Sequence, residues 1–468
     1  MGVNRASTAN SSNHELALRK FETGRRLHEA GDLAGAIRQY GFALALSRDM
    51  LDARLCRGVA LALKGDLTDA LADFDHVLAV DPANHGAHNN RANIYLDEGE
   101  NALAVEGYTN AIKLRSDYAP AFKNRGLALL RLGELGAAIQ DFDRALQLMP
   151  DLHETRTDRG FAKLLAGDLE TGLADLEYRR LRDDVFPYSS FPGPTLRPGQ
   201  PASGRTILVY TDGGFGDVLQ FSRYLPLLRA AGANVKFLVD RRVHKMLRSA
   251  SLDVELCPDQ AAVGRFDALL PLLSLPYAFG TSLSNIPAPL PVAADRELVA
   301  KWRERIGEHG FKIGIQWQGR ISAVDRGRSL PLAAFKPLTE VPGVRLISLQ
   351  KNEGAEQVSD LPKVENLGAE LDCGEHAFED TAAVMQSLNL VVSTDTAVAH
   401  LAASMGKPVW ILLQYVPDWR WMLKPADTPW YPSARLYRQN EPGDWAGVID
   451  KVGEDLRSFV GVAAESAA

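Results

Sequence analysis

The sequence predicts an α-solenoid followed by an α/β region of two doubly wound lobes. Three observations predict it. A period of 34 residues runs through the first part of the chain. A stretch crowded with proline and glycine follows it. Beyond that stretch, short apolar strand-like runs alternate with helical periodicity in two successive halves, the pattern of parallel sheets with crossover helices. The 468 residues are enough for two or three domains, and 46% apolar with 24% charged residues is the balance of a globular chain. A net charge of −7 gives no support to nucleic-acid binding. Cys56, Cys257 and Cys373 lie far apart, which argues against a disulfide framework or a cysteine-based zinc site. The first residues are polar and no apolar run reaches about 20 residues, so neither a secretory signal nor a membrane span is expected. The expected location is a reducing cytoplasm, and peripheral contact with a membrane is compatible with this pattern.

The repeats come first. Gly24, Gly58, Ala92, Gly126 and Gly160 are spaced by 34 residues. Each is followed by a second small residue (Ala36, Ala70, Ala104, Ala138, Gly172) and then by a large apolar one (Tyr40, Phe74, Tyr108, Phe142, Leu176). Gly31-Asp32, Gly65-Asp66, Gly99-Glu100, Gly133-Glu134 and Gly167-Asp168 supply turns between them. Small residues let two helices approach, the large residue fills the gap, and the Gly-acid pair reverses the chain. The pattern resembles the tetratricopeptide repeat in five copies over residues 15–185, the fifth degraded as a junction repeat would be. The resemblance implies a concave face for a protein or peptide partner; a spacer or dimerisation arm is the alternative. Asp73/Asp75 and Asp141/Asp143 look like metal-binding D-x-D pairs, but each flanks a packing Phe on a helix, so solvated helix face is expected. His85 and His88 sit at a repeat turn with no acidic or cysteine companion, and no metal is expected there.

Residues 186–204 hold Pro187, Pro192, Pro194, Pro198 and Pro201, and cannot form a regular helix or a central strand. This is the expected linker. A first lobe over 205–292 opens with the strand Arg205–Thr211, the turn "DGGFGD" (Asp212–Asp217) and a helix over Val218–Leu228. Strands at Val235–Val239 and Asp267–Pro271 and a helix at Val243–Ala250 follow. A Gly-rich strand-to-helix turn brings backbone close to a ligand, but it is common among α/β proteins. Residues 275–291 are read as the crossover.

The second lobe, 293–460, begins with a helix over Arg296–Ile306 and the strand Lys312–Trp317. A loop holding Arg320, Arg326 and Arg328 follows. Strands over Val344–Gln350 and Val364–Leu367 and a helix over Phe378–Leu388 lead to "VVSTDTAVAHLAASMGKPVWILL" (Val391–Leu413), which reads as strand, turn, helix, Gly stop and strand. Asp395 and Thr396 are N-cap types, and a helix starting at the carboxyl end of a parallel strand offers free N–H groups and a partial positive charge to a diphosphate. Gln414–Gln439 is read as an aromatic, Pro-rich loop in which Asp418, Trp419, Arg420, Trp421 and Trp430 either stack on a base, close the pocket or wrap onto the first lobe. A closing helix is expected over Asp444–Phe459 and a disordered tail over 460–468.

Together, "GGFGDVLQFSRYLPLL", "IGIQWQGR…RSLPL" and "STDTAVAHLAASMGKPVWILL" resemble the ADP-heptose:lipopolysaccharide heptosyltransferase family over residues 205–440, in its bacterial branch fused to tetratricopeptide repeats. The domain plan is similar to O-GlcNAc transferase. The resemblance implies a GT-B fold and an inverting, metal-independent transfer from a nucleotide-diphosphate sugar, with no further cofactor. It places the catalytic base at Asp217; the alternative is that Asp217 only caps the helix after it. It places the donor diphosphate on Asp395, Thr396, His400 and Arg328. Ala397 stands where the family usually has Gly, and Arg328 where it has Lys, so heptose specificity does not follow, though Arg can clamp a diphosphate bidentately. A core-facing role is the alternative for His400. Gly216, Lys351, Arg320 and Trp419 are further donor-site candidates.

The expected function is a glycosyltransferase acting on a protein or cell-envelope glycan, its repeats recruiting the acceptor or a partner. One alternative is a tetratricopeptide scaffold retaining a degenerate transferase domain. Another is a nucleotide-sugar epimerase, weakened because neither turn gives G-x-G-x-x-G with an acid about 20 residues on.

Overall fold

A computed structural model describes residues 3–181, 193–320 and 327–467. The chain divides into two compact units, residues 1–162 and 163–468. The first is built from α1 (Val3–Glu29), α2 (Leu33–Leu46), α3 (Leu51–Lys64), α4 (Leu67–Val80), α5 (His85–Asp97), α6 (Asn101–Leu114), α7 (Ala119–Arg131), α8 (Leu135–Leu148) and α9 (His153–Leu165). From α1 to α8 each helix packs on its neighbour in sequence. The repeat chemistry explains the packing. A methyl group added at Gly24, Gly58 or Gly126 would stand 2.7, 2.6 or 2.7 Å from the ring of Tyr40, Phe74 or Phe142. Those rings are buried, so the helices meet at a distance that only a missing side chain permits.

The acidic pairs behave differently from expectation. Asp73 and Asp141 are buried, not solvated. Arg57 forks onto Asp73 (2.8 and 2.7 Å) and Arg125 onto Asp141 (2.7 and 2.8 Å). The outer members, Asp75 and Asp143, pair with Arg91 and Arg159 of the following repeat, at 2.8 and 2.6 Å. From the second repeat on, the same 34-residue period therefore carries an arginine just before the small residue (Arg57, Arg91, Arg125, Arg159), and Asp73 and Asp141, each preceding a packing Phe, face Arg57 and Arg125 rather than water. His88 Nε2 is hydrogen-bonded to the Pro82 carbonyl at 3.1 Å, and His85 lies edge-on to Tyr118.

The second unit opens with α10 (Leu169–Leu176). Of the Pro-rich stretch, 182–192 lies outside the described residues; Thr195 beyond it makes a single parallel bridge to Leu269. The first lobe holds β1 (Thr206–Tyr210), α11 (Phe215–Phe221), α12 (Leu225–Ala230), β2 (Asn234–Leu238), α13 (His244–Ser249), β3 (Glu255–Cys257), β4 (Ala268–Pro271) and α14 (Leu275–Ala278). Its strands form a parallel sheet in the order β3-β2-β1-β4. The helix expected over 218–228 is broken into α11, a 3-10 turn and α12, because Pro226 enters the first turn of α12 and cannot donate to the turn before it.

The second lobe holds α15 (Arg296–Ile306), β5 (Phe311–Gln316), β6 (Val344–Ser348), β7 (Val364–Glu365), α16 (Glu379–Gln386), β8 (Leu390–Thr394), α17 (Ala397–Ser404), β9 (Val409–Leu413), β10 (Ala434–Arg438) and α18 (Trp445–Ala467). Its sheet is parallel in the order β10-β9-β8-β5-β6-β7. Strands β8 and β9 are buried along their whole length, which is why they read as unbroken apolar runs. Two elements correct the reading of the sequence. Strand β10 lies within the stretch read as loop, and α18 continues through 460–467, read as a disordered tail.

Candidate functional site

In each sheet the strand order reverses once: between β1 and β4 in the first lobe, between β5 and β8 in the second. Such a switch point leaves a crevice at the carboxyl ends of the strands. Both motifs singled out from the sequence stand at these points. "DGGFGD" leaves β1 and runs into α11, and the Asp395 turn leaves β8 and runs into α17. Helices α11 and α17 pack on each other, so the two crevices meet.

The two acids of the first turn have different surroundings. Asp212 is buried; its Oδ1 accepts the Leu273 N–H across the switch point at 3.0 Å, and its Oδ2 accepts Arg179 Nη2 at 2.9 Å. Burial pushes its carboxyl up, against the pull of Arg179. Asp217 lies one turn into α11. Its Oδ2 accepts the Gly214 N–H at 2.7 Å and so closes the start of the helix, while its Oδ1 accepts Arg420 Nη2 at 2.6 Å. Its side chain keeps 20% exposure, so Asp217 is the acid of this turn that solvent reaches.

At the second turn, Gln316 at the end of β5 closes the switch point. Its Oε1 accepts Ser393 Oγ at 2.9 Å and also Thr396 Oγ1. This corrects one expectation. Thr396 is the N-cap of α17, but its hydroxyl is drawn to Gln316, and among the described residues no side chain caps the first turn of the helix. Asp395, Thr396 and Ala397 are half-buried, whereas β8 before them and Val398–His400 after them are fully covered. Burial, reinforced by Asp418, pushes the Asp395 carboxyl up to about 6, against Arg420 and Arg328. His400 is buried, with Nδ1 hydrogen-bonded to the Tyr431 hydroxyl at 3.0 Å and Nε2 3.8 Å from Asp395 Oδ1. Burial, then Arg420 and Arg223, hold its imidazole well below the ordinary range, so it is neutral near pH 7.

The stretch after β9 joins the lobes. Trp419 stacks on Phe221 of α11 with centroids 6.2 Å apart, Trp430 meets the same ring edge-on at 5.9 Å, and Trp421 stacks on His400 at 5.4 Å. Arg223 of the first lobe donates to the Trp430 carbonyl at 2.7 Å. Arg420 sits among these rings, hydrogen-bonded to Asp217 and, at 3.2 Å, ion-paired with Asp418. Burial disfavours its charge, but Asp418, Asp217 and Asp395 outweigh this and hold the guanidinium charged.

Residues 338–441 match glycosyltransferase family 9 (heptosyltransferase), a span that ends just past β10 and contains the Asp395 turn. Tetratricopeptide repeat families match residues 21–86, 92–133 and 119–152. The chain therefore carries tetratricopeptide repeats and, after them, a region that matches glycosyltransferase family 9. It is 26% identical over 289 residues to Protein FlbA of Caulobacter vibrioides, covering 56% of this chain and 48% of that one, so it spans about half the length of this relative. Among solved structures, MamA protein is 21% identical over 35% of this chain and 90% of its own, with a TM-score of 0.32. A thermophilic tetratricopeptide-repeat protein of Thermus thermophilus is 21% identical over 35% of this chain and 95% of its own, with a TM-score of 0.31.

The remaining candidates are placed as follows. Gly216 packs against His400: a methyl group there would stand 2.9 Å from its Cδ2. Arg328 lies over Gly319 at the end of β5, close enough for its charge to lower both Asp395 and Asp418. Arg320 is exposed, and Arg326 lies outside the described residues. Lys351 donates to the carbonyls of Leu371 and Asp372, at the far edge of the second sheet. Trp419 is buried against Phe221. The sequence reading left Gln316 and Tyr431 out of the site and named Arg420 only as one residue of an aromatic loop that stacks on a base, closes the pocket or wraps onto the first lobe, without a partner for it. For Gln316 a signal existed, a polar side chain closing the apolar strand "KIGIQ"; Tyr431 gave no local signal, because its partner His400 is distant in sequence.

Proposed function

We propose that the second unit transfers a sugar from a nucleotide-diphosphate sugar to a hydroxyl of a protein or cell-envelope glycan. The transfer inverts the anomeric centre and needs no metal, and the repeats recruit the acceptor or a partner. The observation that carries this reading is the meeting of the two switch points, with Asp217 from one lobe and Asp395 from the other around one guanidinium.

The donor diphosphate sits at the start of α17, where backbone N–H groups free of side-chain caps and Arg328 offset its charge. His400 and Thr396 line that end of the seat, and Gln316 holds the turn in shape. Asp217 is the base. As the acceptor oxygen attacks the anomeric carbon, the bond from that carbon to the diphosphate oxygen breaks, the nucleoside diphosphate leaves with the bonding pair, and the acceptor proton passes to Asp217. Donors already aimed at the diphosphate stabilise the charge that develops on it. Gly216, Trp419 and Arg320 border this seat rather than touch the reacting atoms, and Lys351, at the far edge of the second sheet, takes no part in it.

Calorimetric titration of ADP and UDP into the full chain tests the seat. At least one should bind, and His400→Ala and Arg328→Ala should each weaken it by about tenfold, the size of one lost charge-assisted hydrogen bond. Wild-type affinity in both variants, or no binding of either nucleotide, would place the seat elsewhere.

A further inference from the structure

Arg420 is buried, and taking a guanidinium out of water costs several kcal/mol before its partners offset it. An apolar side chain would fill its place between Phe221 and Trp419, each with its centroid 5.4 Å from the guanidinium carbon, without that cost. Its hydrogen bonds are also uneven. Nη2 donates to Asp217 and Nη1 is ion-paired with Asp418, but among the described residues buried Nε has no partner. The conformation is therefore one that serves Asp217 at the expense of its own Nε. Asp418 aims it: the same Oδ1 that is ion-paired with Arg420 Nη1 at 3.2 Å accepts the Arg420 backbone N–H at 3.1 Å.

The consequence falls on Asp217. One oxygen is held by the Gly214 N–H of its own turn and the other by Arg420 of the opposite lobe. With one donor alone, the carboxylate could turn about its last torsion, which is soft in aspartate. With two donors its plane is fixed, and each oxygen keeps a second lone pair for an incoming hydroxyl.

We propose that Arg420 is a positioning residue for the transfer, setting from the second lobe the plane of the carboxylate that takes the acceptor proton. This rests on the reading of Asp217 as the base. Because Arg420 is carried by the segment between Trp419 and Trp421, the base is in register only while that segment is seated on Phe221.

The test uses the full chain and whichever ADP-, UDP-, GDP- or dTDP-sugar releases nucleoside diphosphate with the wild type. Arg420→Met should lower kcat by about 100-fold, the cost of a misplaced group, while KM and the Kd for the free nucleoside diphosphate stay within about twofold. Arg420→Lys should recover part of kcat. The double variant Asp217→Asn/Arg420→Met should be no slower than Asp217→Asn alone, since a residue acting through Asp217 has nothing left to act on. Wild-type kcat in Arg420→Met, or losses that combine in full in the double variant, would overturn the proposal. Wild-type turnover in Asp217→Asn would instead overturn the reading of the base. If circular dichroism finds Arg420→Met unfolded, Arg420→Lys decides: kcat reduced about fivefold or more at unchanged nucleotide affinity supports the proposal, and wild-type kcat overturns it.

Discussion

Arg420 Nη2 lies 2.6 Å from Asp217 Oδ1, across 203 residues of sequence and from one lobe to the other. The same guanidinium contacts Asp418, and it is enclosed by Phe221 and Trp419. The seam between the lobes is therefore a charged pair set in an aromatic frame. Both switch points open onto it, and Asp217, Asp395, His400 and Arg420 gather around it.

Gly216 is packed tightly into that seam. A methyl group there would meet His400 Cδ2 at 2.9 Å, and the imidazole cannot retreat because Trp421 stacks on it and Tyr431 is bonded to it. Alanine gains up to about 1 kcal/mol over glycine within a helix. Overpacking a fixed contact costs about 1–3 kcal/mol and wins here. Gly216→Ala should lower the unfolding midpoint of the second unit in thermal denaturation. A raised midpoint would show that the seam yields.

His400 and Asp395 set opposite pH dependences. The folded His400 stays neutral while the unfolded chain takes up a proton below about 6.5, so stability falls as pH drops through that value. The folded Asp395 keeps its proton up to about 6 while the unfolded carboxyl loses it near 3.8, so this group removes stability as pH rises between those values. Below pH 6 the two slopes oppose each other. His400→Gln should therefore gain stability relative to wild type on going from pH 7 to pH 5, and Asp395→Asn should lose it, by up to about 1.4 kcal/mol per pH unit. Denaturant midpoints at the two pH values measure this, and profiles parallel to wild type would contradict it.

In the repeats, burial separates two aspartates that look alike. The side chain of Asp141 is 8% exposed and that of Asp143 is 45% exposed, though each pairs with one arginine. Removing one partner of a buried pair costs about 3–5 kcal/mol, and removing one from a surface pair about 0–1. Asp141→Ala should lower the urea midpoint of the repeat unit strongly and Asp143→Ala barely. Equal effects would mean that the fork between Arg125 and Asp141 contributes no more than a surface contact.

The contrast marks where the sequence was legible. Spacing between small and large residues foretold the repeats because that packing is local: Gly126 meets Phe142 within one helical pair. The strands flanking Asp395 were legible because buried parallel strands are continuous apolar runs. Asp73 and Asp141 were misjudged because helical position alone does not reveal an arginine 16 residues away, even though the arginines share the 34-residue period. Thr396 was expected to cap its own helix, and only the topology brings Gln316 near enough to draw its hydroxyl away. Strand β10 was lost among the prolines around it, although "ARLYR" buries Ala434, Leu436 and Tyr437.

Removing residues 1–162 separates donor binding from acceptor choice. The remaining unit should bind nucleoside diphosphate with the affinity of the full chain, because the proposed seat is built from the second unit alone. It should fail to modify the acceptor that the full chain selects from a mixture. Unchanged acceptor selection would make the repeats a spacer.

If Asp217 and the Asp395 turn form one transferase centre, release of nucleoside diphosphate from a panel of ADP-, UDP-, GDP- and dTDP-sugars by the full chain and by Asp217→Asn, with EDTA present, shows it most directly. At least one donor should be turned over by the wild type. Asp217→Asn should be slower by about 100-fold or more, the usual contribution of a general base, while still binding the nucleotide. Release from none of the donors, or equal release by the two proteins, would contradict a single centre.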